Sequence, residues 1–133
     1  MSKIKVLLIE DDDVTRSLYE RVIKKEGYET FVASDGRKGI ELFKKERPDI
    51  VITDKKMPEY DGMQVVHTVK SLSPETEIIL ITAFGEYETA ILALRHGVLD
   101  YLKKPVNLEH LILALGRASN NIIDRQYIRM LNC

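Results

Sequence analysis

Four carboxylates in succession, Glu10, Asp11, Asp12 and Asp13, follow the apolar run Leu7-Leu8-Ile9. Like charges held about 4 Å apart at a protein surface repel by several kcal/mol, so such a cluster favours proton uptake or a bound cation. Carboxylate oxygens, carbonyls and water suit a hard divalent ion such as Mg²⁺, which commonly works beside phosphoryl groups. No zinc-like set accompanies them: His67, His96 and His110 are scattered, and the one cysteine, Cys133, is the last residue. Each histidine reads as a surface or satisfied residue rather than a ligand. A further acid, Asp54, closes the apolar run Ile50-Val51-Ile52-Thr53. Beside a bound metal, Asp54 is the carboxylate best placed to attack a phosphoryl donor and become an aspartyl phosphate. The transition state of that transfer spreads charge over its equatorial oxygens, so it needs fixed donors. Thr82 offers a hydroxyl and Lys104 an ammonium.

These residues need a scaffold that gathers them at one edge. Short apolar runs alternate five times with longer amphipathic stretches, the pattern of a parallel α/β sheet. Strands are expected over 4–9, 28–33, 49–53, 77–82 and 99–103, three of them nearly continuous in Ile, Val and Leu. Such runs fit strands covered by helices on both faces. Val14, Leu18 and Val22, then Ile40 and Phe43, then Met63, Val66 and Val69 recur at helical spacing. Ile91, Leu92 and Leu94, then Leu108, Leu111, Ile112 and Leu115, supply the fourth and fifth helices. Gly27, Pro48 and Gly97 fall where helices should stop, and Ser34 or Asp35, Asp61 and Asn107 suit N-caps. Lys24, Lys25, Lys44 and Lys45 lie near helix C-termini, where cations offset the dipole.

In an open α/β sheet, ligands bind at the carboxyl ends of the strands where the strand order reverses. Glu10, Asp11 and Asp12 follow strand 1, Asp54 follows strand 3, Thr82 closes strand 4, and Lys104 with Pro105 follows strand 5, all at such ends. If strand 2 folds back beside strand 1 and strand 3 lies on its other side, Asp11 and Asp54 become neighbours.

Bulk properties narrow the classes further. A length of 133 residues, with 44% hydrophobic and 31% charged, fits one soluble domain with a real core. A net charge of −1 provides no field to draw the chain to nucleic acid or an acidic membrane. The apolar run Val6 to Ile9 is too short for a signal-peptide core or a membrane span. With no second cysteine to pair with Cys133, a reducing compartment fits, and the expected location is the cytoplasm. After Leu115 the pattern weakens at "GRASNN" and resumes faintly with Ile122, Ile123, Tyr127, Met130 and Leu131. The expected division is a domain over 1–119 and a segment over 120–133, either a helical tail or the start of a linker to an absent output domain.

The stretches "LLIEDDD", "DIVITDKKMPEYDG", "IILITAF" and "DYLKKPV", in this order and spacing, resemble the receiver domain of two-component response regulators, chemotaxis-regulator-like, over residues 4 to 118. The resemblance implies a flavodoxin-like, doubly wound (βα)5 three-layer sandwich with parallel sheet order 2-1-3-4-5. It implies Asp54 as the phosphoacceptor, Asp11 as a direct Mg²⁺ ligand, Glu10 as an acid acting through water, and the Lys56 backbone carbonyl as a further ligand. It also implies Thr82 as a switch hydroxyl, Lys104 as its catalytic partner, Tyr101 as a switch aromatic, and a cis peptide bond before Pro105. Asp12 and Asp13 then fit the start of helix 1, where negative charge is favoured. The implied partner is a sensor histidine kinase or phosphotransfer protein. The implied readout is a face of helix 4, strand 5 and helix 5 that would meet an output domain or a second copy. No direct nucleic-acid binding and no membrane contact are expected. The domain would catalyse only its own phosphorylation and dephosphorylation, and would not otherwise be an enzyme. Phe84, two residues past Thr82, and the Lys56 side chain would crowd the approach of water and lengthen the phosphorylated lifetime.

Blander readings stand beside these. An acidic run after a strand also reads as a solvated helix start, Asp54 as a turn residue, Thr82 as an ordinary strand threonine and Lys104 as a solvated lysine. Tyr101 reads equally well as packing. A flavin binder of the same topology needs hydroxyls and amides in its first loop, where four carboxylates would repel a phosphate. A receiver-shaped adaptor that takes no phosphate is the alternative function. A Mg²⁺-dependent aspartyl-phosphate phosphohydrolase fits less well, since it needs a further carboxylate near the nucleophile and room for substrate.

Overall fold

The five apolar runs form strands β1 (Lys5–Ile9), β2 (Glu29–Ala33), β3 (Ile50–Asp54), β4 (Glu77–Thr82) and β5 (Asp100–Lys103). All neighbours pair in parallel, in the order β2-β1-β3-β4-β5. Between and after them lie α1 (Asp13–Lys25), α2 (Gly36–Glu46), α3 (Gly62–Leu72), α4 (Tyr87–Arg95) and α5 (Leu108–Leu131). This computed structural model describes residues 3–83 and 87–132. The architecture is the expected flavodoxin-like, doubly wound α/β sandwich.

Successive strand residues point to opposite faces, which divides the interior into two cores. Val6, Leu8, Ile50, Ile52, Ile79 and Ile81 meet α1 and α5 on one side. Leu7, Ile9, Val51, Ile78 and Leu80 meet α2, α3 and α4 on the other. Strands β3 and β4 are buried along their whole length, as a doubly covered sheet requires.

Helix boundaries follow the caps read from the sequence. Asp12, Asp35, Asp61 and Asn107 each accept a backbone N–H of the first turn that follows. At the end of α2 the left-handed cap is Arg47, with φ of 47°, directly before Pro48.

The apolar stripes that mark the helices differ in places from the faces that pack. In α1, Val14 is 79% and Leu18 42% exposed, while Tyr19 and Ile23 are buried. The inward face also carries Arg16, whose guanidinium reaches back to the Glu10 carbonyl at 2.9 Å. In α4 the small residues Ala90 and Ala93 are buried and Ile91, Leu92 and Leu94 are exposed. Small side chains let the helix lie close to the sheet and leave the large ones outside. A small residue also explains the faint pattern after Leu115, because there the core contact of α5 falls to Ala118 and Ile122. That helix runs without a break to Leu131. Its far end is tied down by Ile122, buried, and by Arg125, which pairs with Glu77 at 2.8 Å and donates to the Glu75 carbonyl at 2.8 Å. Arg129 forms an ion pair with Glu75.

Candidate functional site

Sheet register gathers the reactive residues. Ile9 pairs with Thr53, Asp54 with Ile81, and Thr82 with Lys103. The residues at these strand ends, Glu10, Asp54, Thr82 and Lys104, therefore share one edge of the sheet.

Glu10 is fully buried directly after β1. Its Oε2 accepts from the Asp12 backbone N–H at 3.0 Å, and its carbonyl accepts from Arg16. Among the described residues nothing donates a hydrogen bond to Oε1, although the Lys104 ammonium lies 3.7 Å away. Burial pushes the Glu10 carboxyl up to about 7, and the Asp11 side chain and the Asp54 charge add to it. The Asp12 N–H and Lys104 act in the opposite sense. Asp11 is exposed at the rim, and Asp13 pairs with Arg16. Asp12 turns away to cap α1, and its hydrogen bonds from Thr15 hold its carboxyl below the usual range.

Asp54 is 3% exposed at the end of β3. The Lys104 ammonium donates to one carboxylate oxygen, and the Lys56 backbone N–H reaches the other at 3.3 Å. Burial alone would lower the Lys104 pKa, but the hydrogen bond and charge of Asp54, with the charge of Glu10, leave it raised. The segment after Asp54 is pinned from both sides. Lys55 N–H donates to the Ile81 carbonyl at 2.8 Å, and Gly62 N–H donates to the Lys55 carbonyl at 2.8 Å. A Cβ at position 62 would stand 2.4 Å from the Asp54 carbonyl oxygen and 2.6 Å from the Lys55 Cα, so glycine is required there. Asp61 and Gln64 close a capping box that begins α3 at this point.

Lys104 is held by its own backbone N–H, which donates to the Thr82 carbonyl at 2.8 Å, and the Lys104–Pro105 peptide bond is cis. Thr82 is buried, 2% exposed. Tyr101 is half-buried on β5, against the core shared with α2, α3 and α4. Phe84 lies outside the described residues.

Glu10, Asp11 and Asp54 each place a carboxylate oxygen within 4.8 Å of the others. An all-oxygen set with one buried, undonated oxygen suits a hard divalent cation, and so fits Mg²⁺. Lys104 supplies a positive charge to the same cluster. Two contributors carried no role in the sequence reading. Arg16 orients the turn after β1, and its signal was helical spacing with Tyr19 and Ile23 on the inward face of α1. Gly62 holds the loop onto Asp54; it stood inside the quoted "DKKMPEYDG" stretch, but its steric reason needs coordinates.

The family model described as response regulator receiver domain matches residues 6–116. The chain belongs to that family. As a receiver domain of two-component response regulators, it is 39% identical over 114 residues to Regulatory protein AtoC of Escherichia coli, covering 86% of this chain and 25% of that protein. It is 32% identical over 111 residues to Sporulation initiation phosphotransferase F of Bacillus subtilis, covering 84% of this chain and 90% of that protein. Against a response regulator receiver domain protein from Clostridium thermocellum the TM-score is 0.85 at 31% identity, over 94% of this chain and 98% of that one. The chemotaxis protein CheY4 of Vibrio cholerae superposes with a TM-score of 0.82 at 30% identity, over 88% and 99%. This receiver domain spans 25% of AtoC and 33% of a Thermotoga maritima cyclic di-GMP phosphodiesterase that is 34% identical to it. Among the described residues, no helix is long and apolar enough to cross a membrane.

Proposed function

We propose that this receiver domain is a phosphorylation-controlled switch of a two-component system, with Asp54 as its phosphoacceptor. The observation that carries the reading is the buried Asp54 carboxylate, held by Lys104 and facing the oxygens of Glu10 and Asp11. Asp11 and Asp54 would hold Mg²⁺ directly, the Lys56 carbonyl would complete the protein ligands, and Glu10 would act through water. When bound, the ion supplies positive charge beside the phosphoryl oxygens. An Asp54 oxygen attacks the phosphorus of a phosphohistidine on a sensor kinase or phosphotransfer protein. The bond to the histidine nitrogen breaks, and an acyl phosphate forms on Asp54. Lys104 then pairs with a phosphoryl oxygen in place of the carboxylate, and the Thr82 hydroxyl donates to another.

These two contacts favour a second arrangement of α4 and β5, with Tyr101 following on β5. The readout surface is α4, β5 and α5, where Ile91, Leu92, Leu94 and Leu113 are exposed. It would meet an output domain or a second copy. Residues 1–119 form the switch, and 120–133 are a helical tail or the start of a linker to an output domain. The domain works in the cytoplasm, with no direct part in nucleic-acid or membrane binding, and catalyses nothing beyond gain and loss of its own phosphoryl group.

Incubation with acetyl phosphate, with and without Mg²⁺, tests this by intact mass on wild type and Asp54→Ala. The expected result is a Mg²⁺-dependent phosphoryl adduct that is missing from the variant. No adduct from acetyl phosphate or from a phosphohistidine donor would leave a receiver-shaped adaptor as the better reading.

A further inference from the structure

His67 and His96 lie 29 positions apart in the chain, yet the fold brings their rings together. His67 projects from α3, and His96 follows the last residue of α4, its backbone N–H donating to the carbonyls of Leu92 and Ala93. The ring centroids are 4.7 Å apart at an interplanar angle of 69°. Both residues are exposed.

From this juxtaposition we infer a second metal site, a two-histidine clamp across α3 and α4 that takes a first-row divalent ion of the Zn²⁺ class. Imidazole nitrogen suits zinc, nickel and copper better than magnesium, so the clamp and the carboxylate pocket select different ions. The rings meet edge to face, so the two side chains are within reach of one another, and rotation of these exposed rings would turn a nitrogen of each toward a shared ion. Two imidazoles on one ion, with metal–nitrogen distances of about 2.0–2.1 Å and near-octahedral to tetrahedral angles, place their ring centres roughly 4.5–5.2 Å apart. The observed separation falls within that range. His96 also stands at the C-terminal end of α4, where the helix dipole favours a cation. Exposure leaves the remaining coordination positions to water or to a donor from a partner.

Two cations oppose the site. Arg95 precedes His96, and Lys70 lies one turn beyond His67, close to Gly97. The Lys70 ammonium is engaged by the carbonyls of Pro74 and Thr76, at 3.1 and 2.7 Å. An ion in the clamp would tether the C-terminal end of α4 to α3, and so restrain one helix of the proposed readout surface. The clamp goes beyond the phosphoryl chemistry and stands or falls separately from it.

The test titrates ZnCl₂ into the full chain in excess Mg²⁺, which occupies the carboxylate pocket, on a Cys133→Ser background that removes the thiol. The imidazole resonances of the three histidines are followed by NMR. The expected result is that His67 and His96 shift together and saturate at one equivalent while His110 stays in place. His67→Ala or His96→Ala should each weaken binding about tenfold or more and abolish the response of the remaining ring. Separate saturation of the two rings, an equal response from His110, or an affinity unchanged by either substitution would overturn the clamp. Both substitutions are at exposed positions, and an unchanged circular dichroism spectrum confirms that each variant is folded.

Discussion

Among the described residues, Glu10 is a buried carboxylate with one undonated oxygen, and the consequence is measurable. Its carboxyl titrates near 7 in the fold, against 4.5 for the ordinary group. Between those values the folded state keeps a proton that the unfolded chain has released, so unfolding free energy falls as pH rises through the window. The stabilisation is complete below the ordinary value and gone above the folded one. Metal-free protein should therefore lose stability from about pH 4.5 to about pH 7, by about 3 kcal/mol from this group. Urea unfolding at several pH values measures it, and Glu10→Gln should flatten the slope. A wild-type curve as flat as the variant's would mean that Glu10 stays ionised throughout. The acidic character of this residue was plain in the sequence. Its full burial, and the Arg16 guanidinium on its carbonyl, were not, since both depend on which face α1 turns inward.

Among the elements, the connection from β3 to α3 places Asp54. It is pinned by Lys55 to β4 and by Gly62 to Lys55, with the α3 capping box immediately after. Gly62→Ala would force a methyl group against the Asp54 carbonyl and the Lys55 Cα, both backbone atoms that cannot rotate aside. The expected cost is about 1–3 kcal/mol in chemical denaturation, accompanied by a slower rate of adduct formation with acetyl phosphate. Wild-type stability and rate in this variant would show that the loop has slack. Strand boundaries, caps and helix stops were legible because each has a local cause: an apolar run, a side-chain oxygen, a glycine or a proline. The packing faces of α1 and α4 were less so. Large apolar residues mark a helix by their spacing, but Ala90 and Ala93 decide which side of α4 approaches the sheet.

For the molecule as a whole, two cores on either side of one sheet hold the strand ends in register, and the carboxylates meet because that register is kept. An ion that binds the folded arrangement and not the open chain stabilises the whole domain by mass action. At a Mg²⁺ concentration of about 100 times the dissociation constant, the gain is about 2.7 kcal/mol, which for a domain of this size raises the thermal midpoint by several degrees. Differential scanning calorimetry checks this, and Asp11→Asn should remove most of the shift. A shift kept in full by that variant would move the ion away from the acidic rim.

By itself the sequence determined the family and the architecture. Acid, hydroxyl and ammonium groups stand directly after apolar runs, and those runs alternate with amphipathic stretches, so a parallel sheet with its reactive groups at one edge follows from local patterning. The tertiary structure decided which groups touch. The Lys104–Asp54 contact, the undonated Glu10 oxygen, the steric need for Gly62 and the meeting of His67 with His96 all join residues distant in sequence. Hydropathy period and capping chemistry are properties of a few neighbouring residues. Contacts between elements depend on register and helix rotation, which come from packing the whole chain at once.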